Sequence, residues 1–288
     1  MSERARSGIL TLECPERVGV VAAVASCLAR LGLTIGEAKQ FNDDATQRFY
    51  MRAAFTSVAD SHVDLAAVKA EMAAIAETFA MTWGIVDGDY RPRVLIGVSK
   101  FGHCLFDLIH RWRTGILPVE IVGVFSNHPD MGDFVCWNGV PYHHLPVKPE
   151  TKADQESRIL ALVSETQSDL VVLARYMQVL SNEMCAALSG RCINIHHSFL
   201  PGFKGAKPYH QAHARGVKII GATAHYVTAD LDEGPIIEQG VERVDHSKSP
   251  KELVEVGRDI EAVVLARAVK WHAQRRVMLS GARTVVFG

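Results

Sequence analysis

Residues 94–127 read VLIGVSKFGHCLFDLIHRWRTGILPVEIVGVFSN, and this stretch decides the fold of the larger part of the chain. It contains an apolar run at 94–99, a segment with helical spacing at 106–115, and a second apolar run at 119–127. Short continuous apolar runs are typical of strands that are covered on both faces. The order strand, helix, strand therefore predicts a parallel sheet with helices on both faces.

The alternation continues toward the C-terminus and then changes. The predicted elements are helices at 156–166 and 180–188, strands at 169–176, 192–195, 219–228 and 234–244, and a closing helix at 249–276. The last two strands flank the acidic loop ADLDE (229–233). Ser249 is the predicted N-cap of the closing helix, and Pro250 its first residue. We expect a Rossmann-like domain with a mostly parallel sheet over residues 89–288.

The first 88 residues have a different order of elements. Their patterns predict strands at 8–14, 33–41, 48–56 and 80–87, and helices at 17–32 and 63–79. The resulting βαββαβ order is that of the ferredoxin-like fold. The segment GDYRPR (88–93) contains Gly and Pro and is a predicted linker. The sequence thus predicts an α/β protein with two domains, 1–88 and 89–288.

The composition favours a soluble protein in the cytoplasm. With 288 residues, 48% of them apolar, the chain can bury one large core or two ordinary ones. A net charge of −1 does not favour a nucleic-acid partner. The chain has no apolar run of the roughly 18 residues that span a membrane, so we expect no membrane partner. The six scattered cysteines form no CxxC pair and are expected to be reduced.

Polar groups are concentrated in NIHHSFLPGFKGAKPYHQA, which begins at Asn194. Asn194 and His196 lie at the predicted carboxyl end of a strand, where ligands bind in parallel α/β sheets. Asp232 lies in the loop between two later strands. A lone loop Asn, His or Asp is usually structural, but the three together can converge on one site. His210 and His213 are spaced to share a metal ion on a helix, but we expect no metal there.

The stretch from Cys192 to Ile237 resembles the folate-dependent formyltransferase family, whose signature is Asn-x-His followed by a distant Asp. The matching residues here are Asn194, His196 and Asp232, and the resemblance covers about 92–288. Residues 1–88 resemble an ACT domain, a small regulatory module. An ACT domain followed by a formyltransferase core resembles the enzymes that hydrolyse 10-formyltetrahydrofolate to formate and tetrahydrofolate. Such an enzyme would supply formate for purine synthesis and balance one-carbon pools.

The resemblance also implies binding residues and partners. The folate would be bound by Met177, Gln178, Val179 and Leu180, and on the other side by Thr228 and Asp230. Core packing is the alternative interpretation of the apolar members. The folate is the substrate, and neither a cofactor nor a metal is implied. We expect a homo-oligomer, with glycine or methionine as the candidate effector of the ACT domain near 14–19.

The resemblance to the family leaves the reaction open, because glycinamide ribonucleotide formyltransferase uses the same signature. That transferase has a Gly-x-Gly-Ser-Asn loop for the substrate phosphate, where this chain has GVSKFGHCL (97–105) with His103 and Cys104 in place of Ser and Asn. It also has proline where this chain has His197, which could order the attacking water or be structural. A methionyl-tRNA formyltransferase would need a basic C-terminal domain. A pure amino-acid sensor would not need the three polar residues together.

Overall fold

A computed structural model of the protein describes residues 4–58, 62–202 and 208–288. The chain folds as two compact units. One contains the described part of 1–90 together with 274–278 and 285–288, and the other contains 91–273 and 279–284. The sequence predicts 89–288 as one domain, whereas here the segments 274–278 and 285–288 group with the first unit.

The first unit has the predicted βαββαβ order with one additional pair of short strands. Its elements are β1 (Arg4–Ala5), β2 (Ser7–Pro15), α1 (Val20–Arg30), β3 (Leu33–Asp43), β4 (Arg48–Ser57), β5 (Val63–Asp64), α2 (Leu65–Thr78) and β6 (Thr82–Asp87). The main sheet is antiparallel in the order β3-β4-β2-β6, and β1 pairs with β5. Alternating buried side chains on β2 and the buried faces of α1 and α2 share one apolar core.

The second unit is the predicted α/β domain. Its elements are β7 (Arg93–Val98), α3 (His103–Arg113), β8 (Glu120–Ser126), α4 (Gly132–Trp137), β9 (Tyr142–His144), α5 (Lys152–Glu165), β10 (Leu170–Leu173), α6 (Asn182–Ala187), β11 (Cys192–His196), α7 (Pro208–Ala214), β12 (Ile219–Tyr226), β13 (Ile236–Arg243) and α8 (Pro250–Ala273). Two further strands, β14 (Val277–Ser280) and β15 (Arg283–Val286), follow α8.

The large sheet is mostly parallel, as predicted. Its order is β13-β12-β11-β10-β7-β8-β9, and the five strands from β11 to β9 are parallel. Strands β12 and β13 are antiparallel to their neighbours and form one edge. The helix α4 and the strands β9, β14 and β15 were not predicted. They contain three to six residues each, too few to give a clear period.

The closing helix has the predicted start. Ser249 and Glu252 form a reciprocal capping box: the Glu252 carboxylate accepts from the Ser249 backbone N–H at 2.7 Å, and Ser249 Oγ accepts from the Glu252 N–H at 3.3 Å. The helix ends at Ala273, three residues before the predicted end, and Arg275 has the left-handed φ of 55°. No described helix is both long and apolar enough to cross a bilayer.

The sheet register brings the candidate site residues to neighbouring strands. Leu173 of β10 lies beside Asn194 of β11, so the chains that leave both strands emerge at the same edge. On the other side of β11, Asn194 lies opposite His225 of the antiparallel strand β12. Strand β12 ends at Tyr226, one residue after His225, so the loop that follows β12 begins close to Asn194.

Candidate active site

The structure brings Asn194, His196 and Asp232 together. Asn194 and His196 lie on β11, and Asp232 lies on the loop between β12 and β13. The distance from His196 Nδ1 to Asp232 Oδ1 is 3.2 Å, and both side chains are largely buried, with 5% and 9% of their surface exposed. The three residues that the sequence singles out therefore share one buried polar site.

Backbone constraints hold Asp232 in this position. The loop is closed by the Tyr226 N–H, which donates to the Pro235 carbonyl at 2.9 Å. A Cβ at Gly234 would lie 1.7 Å from the Tyr226 carbonyl oxygen, so only glycine permits this close approach. Asp232 itself has a φ of 59°, in the left-handed region that costs energy for most side chains. Strain of this kind is typical of functional sites.

His225 belongs to the site, although the sequence analysis did not single it out. Its Nδ1 lies 2.9 Å from the Tyr226 carbonyl, so Nδ1 carries the proton and donates. Its Nε2 is then an acceptor and receives one N–H of Asn194 at 3.3 Å. Burial lowers the pKa of His225 below its ordinary value, which favours this neutral form. One N–H of the Asn194 amide remains for a ligand.

His196 presents its second ring nitrogen to the site. With Nδ1 hydrogen-bonded to Asp232, the other nitrogen, Nε2, is buried and has no hydrogen-bond partner among the residues that the structure describes. Burial alone would raise the pKa of Asp232, but the hydrogen bond from His196 and the nearby imidazoles hold this pKa below its ordinary value. Asp232 is therefore a carboxylate at neutral pH and fixes the orientation of the His196 ring.

A cavity of about 270 Å³ opens onto these residues. It is lined by all six residues for which the resemblance implies folate contacts: Met177, Gln178, Val179, Leu180, Thr228 and Asp230. Met177 and Val179 are 51% and 57% exposed, so neither is a core residue. Leu180 is partly buried against the core of this unit, so core packing accounts for part of its surroundings.

His197 follows His196 on the chain and lies beside it. Its ring centroid is 5.2 Å from that of His196 and 6.2 Å from that of Tyr209. Burial and the positive charge of Arg175 lower the pKa of His197 to about 3. The ring is therefore neutral at physiological pH and can donate one hydrogen bond and accept another.

A buried charged cluster, formed by His103, Arg175, Tyr209 and Glu261, adjoins His197. Glu261 is 1% exposed; it accepts from His103 Nε2 at 2.8 Å and from the Tyr209 hydroxyl at 2.8 Å, and lies 3.4 Å from Arg175 Nε. Burial alone would raise the pKa of Glu261, but its bond with His103 and the Arg175 charge lower it. Glu261 is therefore ionised and paired.

The sequence analysis missed this cluster, although one signal was present. Glu261 lies on the buried face of α8, four residues after the buried Gly257 and four before the buried Leu265. An acid on a buried stripe is rare unless it is paired. A Cβ at Gly257 would lie 2.1 Å from the Tyr209 ring, so the glycine leaves room for Tyr209 to reach Glu261.

The cluster has one feature of a metal site. Among the described residues, His103, Cys104 and Glu261 are the one group of three potential ligands whose donor atoms lie within 4.8 Å of one another. This group contains neither His210 nor His213. Burial, together with the Glu261 charge, raises the pKa of the Cys104 thiol well above its ordinary value, and the Arg175 guanidinium lies beside Glu261. A protonated thiol and an adjacent cation favour an ion-pair network over a cation site.

The loop after β7 is built differently from a glycine-rich phosphate cradle. Ser99 is buried, donates to Asn127 Oδ1 at 2.6 Å and accepts from the Met177 N–H at 3.0 Å. Phe101 is half-exposed beneath the Arg258 guanidinium, which lies 5.2 Å from its ring centroid. His103 begins α3 and binds Glu261. This loop thus carries bulky side chains, and a buried carboxylate lies beside the start of the helix.

Comparisons with known proteins place the chain in a family. Residues 92–269 match the Formyl transferase family. Formyltetrahydrofolate deformylase of Corynebacterium sp. (strain P-1) is 52% identical, over 99% of this chain and 99% of its own. The crystal structure of formyltetrahydrofolate deformylase from Burkholderia mallei ATCC 23344 is 54% identical, with a TM-score of 0.93 over 98% of this chain and 100% of that chain.

The similarity to transferases is weaker and covers less of the chain. Glycinamide ribonucleotide transformylase 1 from Symbiobacterium toebii is 28% identical, with a TM-score of 0.65 over 69% of this chain and 95% of that chain. These two deformylases match both units, at about half of all positions. The chain therefore belongs to the formyltetrahydrofolate deformylase family.

Proposed function

We propose that the chain hydrolyses 10-formyltetrahydrofolate to formate and tetrahydrofolate, with Asn194, His196 and Asp232 as its catalytic residues. The observation that carries these roles is the buried Nε2 of His196, which has no partner in the described part of the chain, while Asp232 binds the other nitrogen of the ring. A buried donor or acceptor without a partner is unfavourable by about 1–3 kcal/mol, so a ligand that completes it is bound favourably.

The chemistry requires donors for an oxyanion. When water adds to the formyl carbon, negative charge develops on the formyl oxygen. The remaining N–H of Asn194 and the Nε2–H of a protonated His196 are suitable donors, and the nearby Asp232 carboxylate stabilises the imidazolium. One such donor contributes on the order of 10²–10³ in rate.

The chemistry also requires a proton carrier. The attacking water loses a proton, the C–N bond breaks, and the departing N10 of the folate gains a proton. Asp232 is ionised, lies on the cavity wall, and can take the proton from water and give it to N10. The formic acid formed loses its remaining proton to solvent and leaves as formate. General acid–base catalysis of this kind contributes roughly 10²–10⁴.

The cavity supports the proposed folate contacts. The exposed faces of Met177 and Val179 offer an apolar wall for the pterin ring, and Gln178 offers amide groups to its edge. Thr228 and Asp230 line the facing loop, where Thr228 Oγ1 donates to the Asp230 carbonyl at 3.1 Å and leaves the Asp230 carboxylate available. A flat, partly polar ligand matches such a site.

The alternative, transfer of the formyl group to glycinamide ribonucleotide, requires a phosphate site. In this chain the loop from Ser99 to Gly102 contains Lys100 and Phe101, and Glu261 lies beside the start of α3. A buried carboxylate opposes a phosphate dianion. The test is to supply formyl-labelled 10-formyltetrahydrofolate with excess glycinamide ribonucleotide. We expect the label in formate; label found mainly in formylglycinamide ribonucleotide would overturn the proposal.

For the first unit we propose an ACT-type regulatory module, which acts on the catalytic domain in a cytoplasmic homo-oligomer. Its βαββαβ order and the cavity near Glu16, Arg17 and Gly19, at the start of α1, support this role. Glycine and methionine, which report the one-carbon supply, are the proposed effectors. Formate release should change when either amino acid is added. A chain whose turnover is indifferent to both would lack the proposed regulation.

A further inference from the structure

Arg175 has three unusual properties for a residue at the end of a strand. It follows β10 with a φ of 65°, in the left-handed region that favours glycine. Its side chain is only 10% exposed. Within residues 4–58, 62–202 and 208–288, its buried Nη1 has no hydrogen-bond partner, and its Nε is near Glu261 but not in hydrogen-bond geometry. A long charged side chain in this strained and incompletely paired state points to a ligand.

The register places Arg175 at the reacting end of the cavity. Leu173 pairs with Asn194 across the parallel strands β10 and β11. Two residues further along each chain come Arg175 and His196, which leave the same edge of the sheet and line the same cavity. The Met177–Leu180 segment, proposed to contact the pterin, follows Arg175 on the chain.

The charges around the cavity indicate what kind of ligand Arg175 could bind. Among the described residues that line it, Arg175 is the one with a permanent positive charge, while Asp230 and Asp232 are acidic. The Glu261 carboxylate offsets the positive charge of Arg175 only in part, because the same carboxylate also binds His103 and Tyr209. A planar guanidinium with free N–H groups is well suited to a carboxylate.

We propose that Arg175 binds the formate product, and before it the oxygens that become the carboxylate as water adds to the formyl carbon. This inference rests on the proposed hydrolysis. Transfer to an amine leaves a neutral formamide, whereas hydrolysis leaves a carboxylate close to the Asp232 carboxylate. The Arg175 cation would offset the repulsion between the formate and Asp232 carboxylates.

The test uses the full-length protein and sodium formate as the probe. Arg175→Gly removes the guanidinium and suits the left-handed backbone at this position. Because hydrogen bonds to charged groups are involved, we expect its formate affinity to fall about 10- to 100-fold. Affinity is measured by product inhibition and, without turnover, by saturation-transfer NMR in the presence of tetrahydrofolate. Tetrahydrofolate affinity should be unchanged.

Three further variants separate ligand binding from a structural role. Glu261→Gln removes the anion that competes with formate for Arg175, so it should tighten formate binding. Adding Arg175→Gly to this variant should abolish the gain. The double variant also avoids leaving Glu261 as a buried charge without Arg175. Gln167→Gly is the matched control, because Gln167 has a φ of 49° in the same unit and does not line the cavity. It should bind formate as the wild type does.

Several outcomes would overturn the inference. Unchanged formate affinity in Arg175→Gly, or no formate binding to the wild type, would do so. A parallel loss of tetrahydrofolate affinity would assign Arg175 to the folate. If instead the wild type released no formate from 10-formyltetrahydrofolate, the proposed function would fail, while the NMR titration would still report on Arg175.

Discussion

Replacing Asp232 with asparagine should leave the fold intact and remove nearly all turnover. Asparagine tolerates the left-handed φ of 59° at this position, so the loop between β12 and β13 keeps its path. The amide oxygen of asparagine can still accept from His196 Nδ1, as the carboxylate does at 3.2 Å. What the variant loses is the negative charge and the ability to take a proton.

The size of the effect follows from these two losses. Loss of the proton carrier should lower turnover by roughly 10²–10⁴. This corresponds to about 3–5 kcal/mol in the activation free energy, at about 1.4 kcal/mol per factor of ten. Because the variant also loses the negative charge 3.2 Å from His196 Nδ1, the upper part of this range is expected. Tetrahydrofolate affinity should change little, since Asp232 acts mainly on the transition state.

The assay is single-turnover release of formate from 10-formyltetrahydrofolate, with thermal unfolding as a check on the fold. Glu233→Gln is the matched control, because it neutralises the adjacent acid, which is exposed and does not line the cavity. It should release formate at the wild-type rate. Wild-type turnover in Asp232→Asn would refute the assignment of the proton carrier. A parallel loss in both variants would indicate an effect of loop charge in general.

Three further predictions concern single residues. His196→Ala should lower turnover by on the order of 10²–10³ through the loss of one oxyanion donor, and an effect on KM alone would make His196 a binding residue. Because the pKa of His197 is about 3 in the folded chain, the chemical shifts of its ring should stay those of a neutral imidazole from pH 8 to pH 5. The unfolded chain takes up this proton first as the pH falls below about 6.5, so acid should destabilise the wild type more than His197→Gln in urea titrations. Glu37→Gln should lower the free energy of unfolding by about 1–3 kcal/mol, because it leaves Arg52 and Arg276 facing each other; wild-type stability would contradict this.

The sequence predicted the long elements well and the short ones poorly. Helices α5 and α8 and the strands β2, β7 and β8 have enough residues for the apolar period to show. The six-residue α4 and the three-residue β9 do not. The C-terminal strands β14 and β15 were also not predicted, because their formation depends on tertiary contacts, which a local sequence pattern does not contain.

The site was predicted in part for a similar reason. Asn194, His196 and Asp232 are marked by a sequence signature, and the structure brings them together. His225 lies opposite Asn194 only because of the antiparallel register of β11 and β12, which depends on pairing between strands. Arg175 and Glu261 meet across the fold, so their pairing has no sequence spacing that could reveal it.

The buried charged cluster around Glu261 affects whether water or an amine can accept the formyl group. A ribonucleotide amine gains a high effective concentration only if its phosphate is anchored, since proximity supplies most of the advantage of a bound acceptor. A phosphate brought to the start of α3 would meet the Glu261 carboxylate, which already holds His103 at 2.8 Å. The same carboxylate lies 3.4 Å from Arg175 Nε, and Arg175 Nη1, which has no hydrogen-bond partner among the described residues, suits the carboxylate product of hydrolysis. Glu261 thus disfavours an anionic acceptor at the start of α3, while the neighbouring Arg175 is the cation proposed to bind the product of hydrolysis.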